Sequence, residues 1–208
     1  MIQEPPTADT GAGVDTDVCV IGAGPAGLAL TLMLLRSGVR VTLVERSTAF
    51  RREFHGEILQ PGGQRILDEL GVLAGATARG AARLGGFQVL ERERVLLDVD
   101  YGRLRAPYDH LLALPQPHLL EELLAACREL PGFTLLEGHR IAALLQKRPD
   151  RPCTGAVVNG PDRVPVTVRA QVVVGADGRF SKTRALAGLD AGRLDSVAHH
   201  GVWLSVHA

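Results

Sequence analysis

Apolar residues fall along this chain in short runs separated by glycine-bearing turns and by segments of helical spacing. DVCVI at 17–21 is one such run, and VRVTLVE at 39–45 is another. Continuous apolar runs of this length suit strands buried on both faces, as in a parallel sheet. Between them, LALTLMLLRSG at 28–38 has helical spacing and stops at Gly38, where a left-handed backbone closes the helix. The segments form a β-α-β unit whose turn is GAGPAG at 22–27.

The pattern then loosens. Residues 46–64 read as a loop, and QRILDELG at 64–71 as a short amphipathic helix stopped by Gly71. GGFQVLERERVLLDVDYGRL at 85–104 alternates apolar and polar positions, which predicts a hairpin with one wet face. Residues 111–130 predict a strand, a proline-bounded turn and a helix from about His118; FTLLEG at 133–138 predicts another strand. IAALL, GAVV and VPVTVRA, within 140–170, predict a small antiparallel meander with Pro165 at an edge or strand start. QVVVGA at 171–176 reads as a separate buried strand, and SKTRALAG at 181–188 as a helix ended by Gly188. No internal repeat is evident. The first 16 residues read as a polar, disordered leader, and 189–208 as a tail without clear period.

Composition narrows the classes. Lys plus Arg equals Asp plus Glu at 23 each, so the net charge is zero and a global basic field for nucleic acid is missing. The three cysteines, Cys19, Cys127 and Cys153, match no metal spacing and make a poor disulfide framework, which points to a reducing, cytoplasmic setting. The apolar stretch at 28–35 is too short to span a bilayer. His55, His110 and His118 are scattered and pair with no acid at metal or triad spacing, so they read as solvent-exposed.

The glycine turn carries the first chemistry. Gly22, Gly24 and Gly27 fit the dinucleotide fingerprint G-x-G-x-x-G between a strand and a helix. In that motif the first glycine makes the tight turn, the second lets backbone approach a pyrophosphate, and the third lets the helix pack close. Glu45, 18 residues after Gly27, ends the second strand, where a carboxylate accepts hydrogen bonds from ribose hydroxyls. It would also repel a 2′-phosphate, which suits the adenosine of FAD or NAD. The plain alternative is a glycine turn followed by a surface glutamate. Further on, Asp177-Gly178 follows a valine run and precedes Arg179, Lys182 and Arg184. Asp177 reads as a helix cap or as the anchor of a nearby cation, Gly178 as a point of close backbone approach, and the basic residues as phosphate ligands or a solvated face.

Three stretches in order, GAGPAG with VER at 44–46, GEILQPGG at 56–63 with LDELG at 67–71, and VVVGADGRFSKTR at 172–184, resemble the class A flavin-dependent monooxygenases of the para-hydroxybenzoate hydroxylase superfamily. GE-x-LQPGG is similar to squalene monooxygenase and to related bacterial FAD-dependent oxidoreductases. The resemblance covers roughly 17–188. It implies an α/β fold: a Rossmann-like parallel FAD-binding sheet, a small antiparallel meander, and part of a second, substrate-binding sheet inserted near 80–112. It implies FAD as cofactor and NAD(P)H and O2 as co-substrates, hydroxylating or epoxidising an apolar or aromatic small molecule, such as a polyketide or an isoprenoid. It places Pro25 and the Ala26 amide at the pyrophosphate, Arg46 against the adenine or its ribose, Arg52 on FAD, Gln116 along the ribityl chain, and Asp177 and Gly178 near the pyrophosphate and the nicotinamide path. The plain alternative for Arg46, Arg52 and Gln116 is a surface polar residue.

The resemblance also implies a second Gly-Asp motif past the Asp-Gly turn, and the 208 residues contain none. The expectation is a C-terminally truncated enzyme that binds FAD weakly and turns over little alone. A homodimer or a complementing second chain would complete the site. The competing readings are a catalytically silent nucleotide-binding or interaction module and an NAD-linked dehydrogenase.

Overall fold

The computed structural model describes residues 13–48, 58–146 and 151–189. Its centre is a six-stranded sheet. β1 (Gly13–Ile21) lies between β2 (Val41–Glu45) and β11 (Pro165–Gly175), and all three are parallel. β8 (Phe133–Glu137) continues the parallel set beyond β2. On the other side β10 (Gly155–Asn159) and β9 (Arg140–Leu144) add antiparallel strands, the expected meander.

Side-chain alternation explains why β1 reads as continuously apolar. Val18 and Val20 face a helical layer, while Cys19 and Ile21 face the meander side. The helical layer holds α1 (Pro25–Arg36) and α4 (Gln116–Arg128), with α2 (Pro61–Glu69) and α3 (Leu73–Ala78) beside them. Leu28, Leu32 and Leu35 recur at helical spacing, and all three are buried against the sheet. Gly38 and Gly71 stop α1 and α2 as expected. Each adopts a positive φ, and the following residue bonds back to the last turn, Val39 to the Leu34 carbonyl and Val72 to the Leu67 carbonyl, both at 3.0 Å.

Two smaller sheets stand apart. β7 (Leu111–Ala113) pairs with both β3 (Ile58–Leu59) and β4 (Ala82–Leu84), and β5 (Gly86–Glu91) pairs with β6 (Arg94–Asp100) as a hairpin. Gln64 of α2, 1% exposed, ties α2 to the three-stranded sheet by donating to the carbonyls of Leu59 (3.2 Å) and His110 (2.8 Å).

The structure departs from the sequence reading at several points. β1 takes in Gly13–Thr16, four positions earlier than the apolar run, because those residues pair with Thr167–Ala170 of β11. The segments expected as a meander strand and a separate buried strand are one strand, β11, whose second half is not buried: Val172 is 50% exposed. β10 covers β11 only as far as Arg169, and beyond it β1 is the strand neighbour among the described residues. In the hairpin the face expected to be dry is also open, with Phe87, Val89 and Leu97 each more than 40% exposed. α3 was not anticipated; its sequence LAGATA is short and too rich in small residues to show a period.

Candidate functional site

The order of the parallel strands reverses at β1: the chain leaves it by α1 to β2 on one side, and β11 joins it later on the other. In open α/β sheets ligands lie at such a switch point, outside the carboxyl ends of the strands. Here the three strands end level. The Gly22 amide donates to the Val44 carbonyl and the Ala176 amide to the Ile21 carbonyl, both at 2.8 Å. The glycine turn, Glu45 and the Asp177 loop therefore meet at one edge.

Gly22 takes φ of +108°, and a Cβ there would stand 2.6 Å from the Ala176 carbonyl oxygen. A Cβ on Gly27 would stand 1.9 Å from the Gly22 carbonyl oxygen. The first and third glycines thus let the turn fold under α1 and against the Asp177 loop. Gly24 is the extended N-cap, Pro25 opens the helix without an N–H, and the first acceptor, the Gly24 carbonyl, serves Leu28 at 2.9 Å. The Ala26 and Gly27 amides therefore have no intrahelical acceptor. No side chain caps α1 and no acid lies in its first turn, so nothing on the helix offsets the positive end of its dipole.

Glu45 is buried, 4% exposed. One carboxylate oxygen accepts from the Ala23 amide at 2.8 Å and the other from the Ser47 amide at 2.9 Å. The acid thus braces the glycine turn. Arg46 follows it, exposed at the same edge. Arg52 lies outside the described residues.

Ser181 is the N-cap of α5 (Lys182–Leu186), and Asp177 braces it from the preceding turn. Asp177 accepts from the Ser181 hydroxyl and, at 3.0 Å each, from the Thr183 amide and hydroxyl; Ser181 in turn accepts from the Arg184 amide at 2.9 Å. Burial alone would raise the Asp177 carboxyl. The hydrogen bonds from Ser181 and Thr183 together outweigh it and hold the group below the usual carboxylate range. Gly178 follows with φ of +82° and open space where a Cβ would be. Arg179 lies over the Phe180 ring at 5.1 Å, and Lys182 is exposed. A groove of about 570 Å³ runs along the meander side of this loop, lined by Cys153, Val173, Gly178, Thr183 and Arg184 among others.

Gln116 begins α4. Helices α1 and α4 each lead into a parallel strand, β2 and β8, so both run from the site edge to the opposite edge. The Cys127 thiol lies 3.9 Å from the Leu28 carbonyl oxygen. Cys127 is eleven residues into α4 and Leu28 three into α1, so α4 extends further toward the site edge than α1 does. On the first turn of α4 the Gln116 Oε1 is buried without a partner among the described residues, and so is the Nδ1 of His118. Neither His118 nor His110 is solvent-exposed as the sequence reading has them. The His110 side chain is 13% exposed, with its Nδ1 3.1 Å from Asp109 and 3.0 Å from Arg83. The adjacent acid could be read from the sequence; the burial could not. Among the described residues no cluster of His, Cys, Asp and Glu could hold a metal ion, and no helix is long and apolar enough to cross a membrane.

Comparison with known proteins agrees with this geometry. The profile of a family described as FAD binding domain matches residues 15–207. A 6-methylpretetramide 4-monooxygenase of Streptomyces rimosus is 49% identical over 203 residues, which is 98% of this chain and 47% of that protein. A probable NADH-specific resorcinol 4-hydroxylase of Rhodococcus jostii is 29% identical over 97% of this chain and 37% of its own length. The anhydrotetracycline hydroxylase OxyS of Streptomyces rimosus superposes with a TM-score of 0.72 at 28% identity, over 84% of this chain and 34% of that one. The chain therefore spans about half or less of the length of these relatives.

Proposed function

The chain belongs to the FAD binding domain family, and on that premise we propose that it is the cofactor-binding part of an FAD-dependent monooxygenase using NAD(P)H and O2. The observation that carries the reading is the convergence at one sheet edge of the Gly22–Gly27 turn, the uncapped start of α1, buried Glu45 and the Asp177 loop. Dinucleotide chemistry fits each part. The Ala26 and Gly27 amides, close to Gly24 and Pro25, would take the pyrophosphate, aided by the helix dipole. Glu45 would hold the adenosine ribose and keep the turn in shape, with Arg46 beside the adenine. Gly178 leaves the backbone of its loop open to approach, and Asp177 fixes that loop through α5. The unpaired Oε1 of Gln116 offers an acceptor to the ribityl hydroxyls above.

FAD, when bound, supplies the redox chemistry and the activation of oxygen. The residues of this chain bind, orient and exclude water. Arg179 and Lys182 border the route for NAD(P)H; Arg52 joins the same proposal from its sequence position. The substrate is an aromatic small molecule of polyketide type, a reading supported by the 49% identical relative and its named substrate. The segment near 80–112 would be the substrate-facing insertion, and the cytoplasm the compartment.

The exposed Phe87, Val89 and Leu97 of the hairpin and the half-paired β11 favour a second element of the reading: further polypeptide completes the pocket. That polypeptide is a complementing segment or a second copy. These 208 residues alone then bind FAD weakly and hydroxylate little. The test is titration of the purified chain with FAD, followed by flavin fluorescence, with Glu45→Ala as control. Saturable binding weakened by Glu45→Ala supports the proposal. A folded chain that leaves flavin fluorescence unchanged overturns it.

A further inference from the structure

His110, Asp109 and Arg83 form a cluster that the dinucleotide site does not use. Arg83, on β4, lies opposite Leu112 of β7, so it reaches His110, two positions before Leu112, along the same face of the ladder. The three side chains close a triangle. One guanidinium nitrogen of Arg83 is 3.0 Å from His110 Nδ1 and 3.3 Å from an Asp109 carboxylate oxygen, which is itself 3.1 Å from Nδ1. Nδ1 cannot serve both neighbours, because Arg83 only donates and the carboxylate only accepts. While Nδ1 is bare, the arginine N–H lies between two acceptors and holds both. A proton on Nδ1 turns the ring into a donor to Asp109 and sets two cations against each other across the same 3.0 Å. Asp109 stays ionised in both states. Its hydrogen bond with His110, then one from its own amide, and the charge of Arg83 outweigh burial and hold its carboxyl below the usual range.

Arg83 is the member free to leave. Its side chain is 67% exposed, against 32% for Asp109 and 13% for His110. Its departure bears on the hairpin. β4 ends at Leu84, and Gly85 follows with open space where a Cβ would stand. The Gly85 carbonyl also takes the amide of Tyr101, just past the end of β6, at 2.8 Å. Both arms of the hairpin thus start from the strand end that Arg83 ties to His110. Among the described residues, Gln64 of α2 reaches the His110 carbonyl, Asp68 of α2 takes the Tyr108 hydroxyl, and β3 brings Ile58 and Leu59 to β7; the charged groups bonded to the ring are Arg83 and Asp109.

We propose that His110 is a pH-sensitive latch at the root of the β5–β6 hairpin: neutral, it holds Arg83 through Nδ1; protonated, it turns to Asp109 and releases the end of β4. The inference is independent of the cofactor reading.

The test follows the full chain by NMR from about pH 8 to about pH 5, the range in which imidazoles ordinarily titrate. At the alkaline end the 15N resonance of His110 Nδ1 is expected at the position of a bare nitrogen, with the proton on Nε2. As Nδ1 takes up its proton, the hydrogen-exchange protection factors of β4 are expected to fall about threefold while those of β10 stay constant. The factor is small because Arg83 is mostly exposed and an exposed ion pair holds little. His110→Asn keeps a polar side chain that does not titrate, and Arg83→Gln removes the cation. In both, β4 protection is expected to be independent of pH, with β10 reporting that the variant is folded.

A proton already on Nδ1 at the alkaline end overturns the latch. So does β4 protection that stays constant while Nδ1 titrates, or that falls as far in His110→Asn or Arg83→Gln as in the wild type.

Discussion

The buried carboxylate of Glu45 accepts a hydrogen bond from the Ala23 amide across 2.8 Å, joining the end of the second strand to the turn after the first. Its other oxygen takes the Ser47 amide. Glu45→Ala leaves both amides without this acceptor, at about 1–3 kcal/mol each where water cannot replace it. The expected result is a loss of about 2–4 kcal/mol of stability, read as a lower urea midpoint, together with lost dinucleotide binding. Glu45→Gln keeps one acceptor oxygen and should fall between the two.

Gly27 tolerates no side chain. Its Cβ would stand 1.9 Å from the Gly22 carbonyl oxygen, which is backbone and cannot swing aside. Gly27→Ala must push α1 away from the turn, at about 1–3 kcal/mol. Movement at the helix start should also weaken nucleotide affinity at least tenfold. Gly62→Ala has open space around it and should change neither quantity beyond error.

Asp177, bracing the start of α5, gives the stability an acid limb. Hydrogen bonds from Ser181 and Thr183, outweighing burial, hold the carboxyl below its unfolded value. The unfolded chain therefore binds more protons in the window between the two values. The contribution is fully present above roughly pH 4 and is lost as pH falls through the lower, folded value. Asp177→Asn should flatten this limb and cost about 1 kcal/mol at neutral pH, as cap substitutions do. Urea midpoints of both proteins from acid to neutral pH test this.

Burial also separates the thiols. It pushes Cys19 up to about 12 and Cys127 up to about 11, so neither forms a thiolate at neutral pH. Cys153 is half-exposed, with its thiol toward the Gly155 carbonyl. The native chain should therefore release about one equivalent with a disulfide reagent, from Cys153, and all three after denaturation. Cys153→Ser should abolish the native reaction without moving the midpoint by more than about 0.5 kcal/mol.

Much of the fold is legible because its signals are local. The βαβ unit shows in the apolar period, and Gly38 and Gly71 mark helix ends because a left-handed residue is needed where they stand. The Gly-x-Gly turn and the acid at the end of β2 are likewise spaced by a single strand-helix-strand unit. Of the two local readings of Asp177, the helix cap proper falls instead to Ser181, which Asp177 holds together with Thr183.

What the amino-acid pattern determined by itself was therefore the set of elements, the helix stops and the dinucleotide turn, each depending on neighbours within a few turns of chain. The tertiary structure alone decided that Ala176 lies against Gly22, that both Glu45 oxygens brace backbone amides, and that His110 and His118 are partly buried. It alone also showed that Val172 and the apolar hairpin face lack cover. Those facts depend on which distant strands pair and where the pairing stops: a residue's period shows which face it takes, and only the packed chain shows what that face meets.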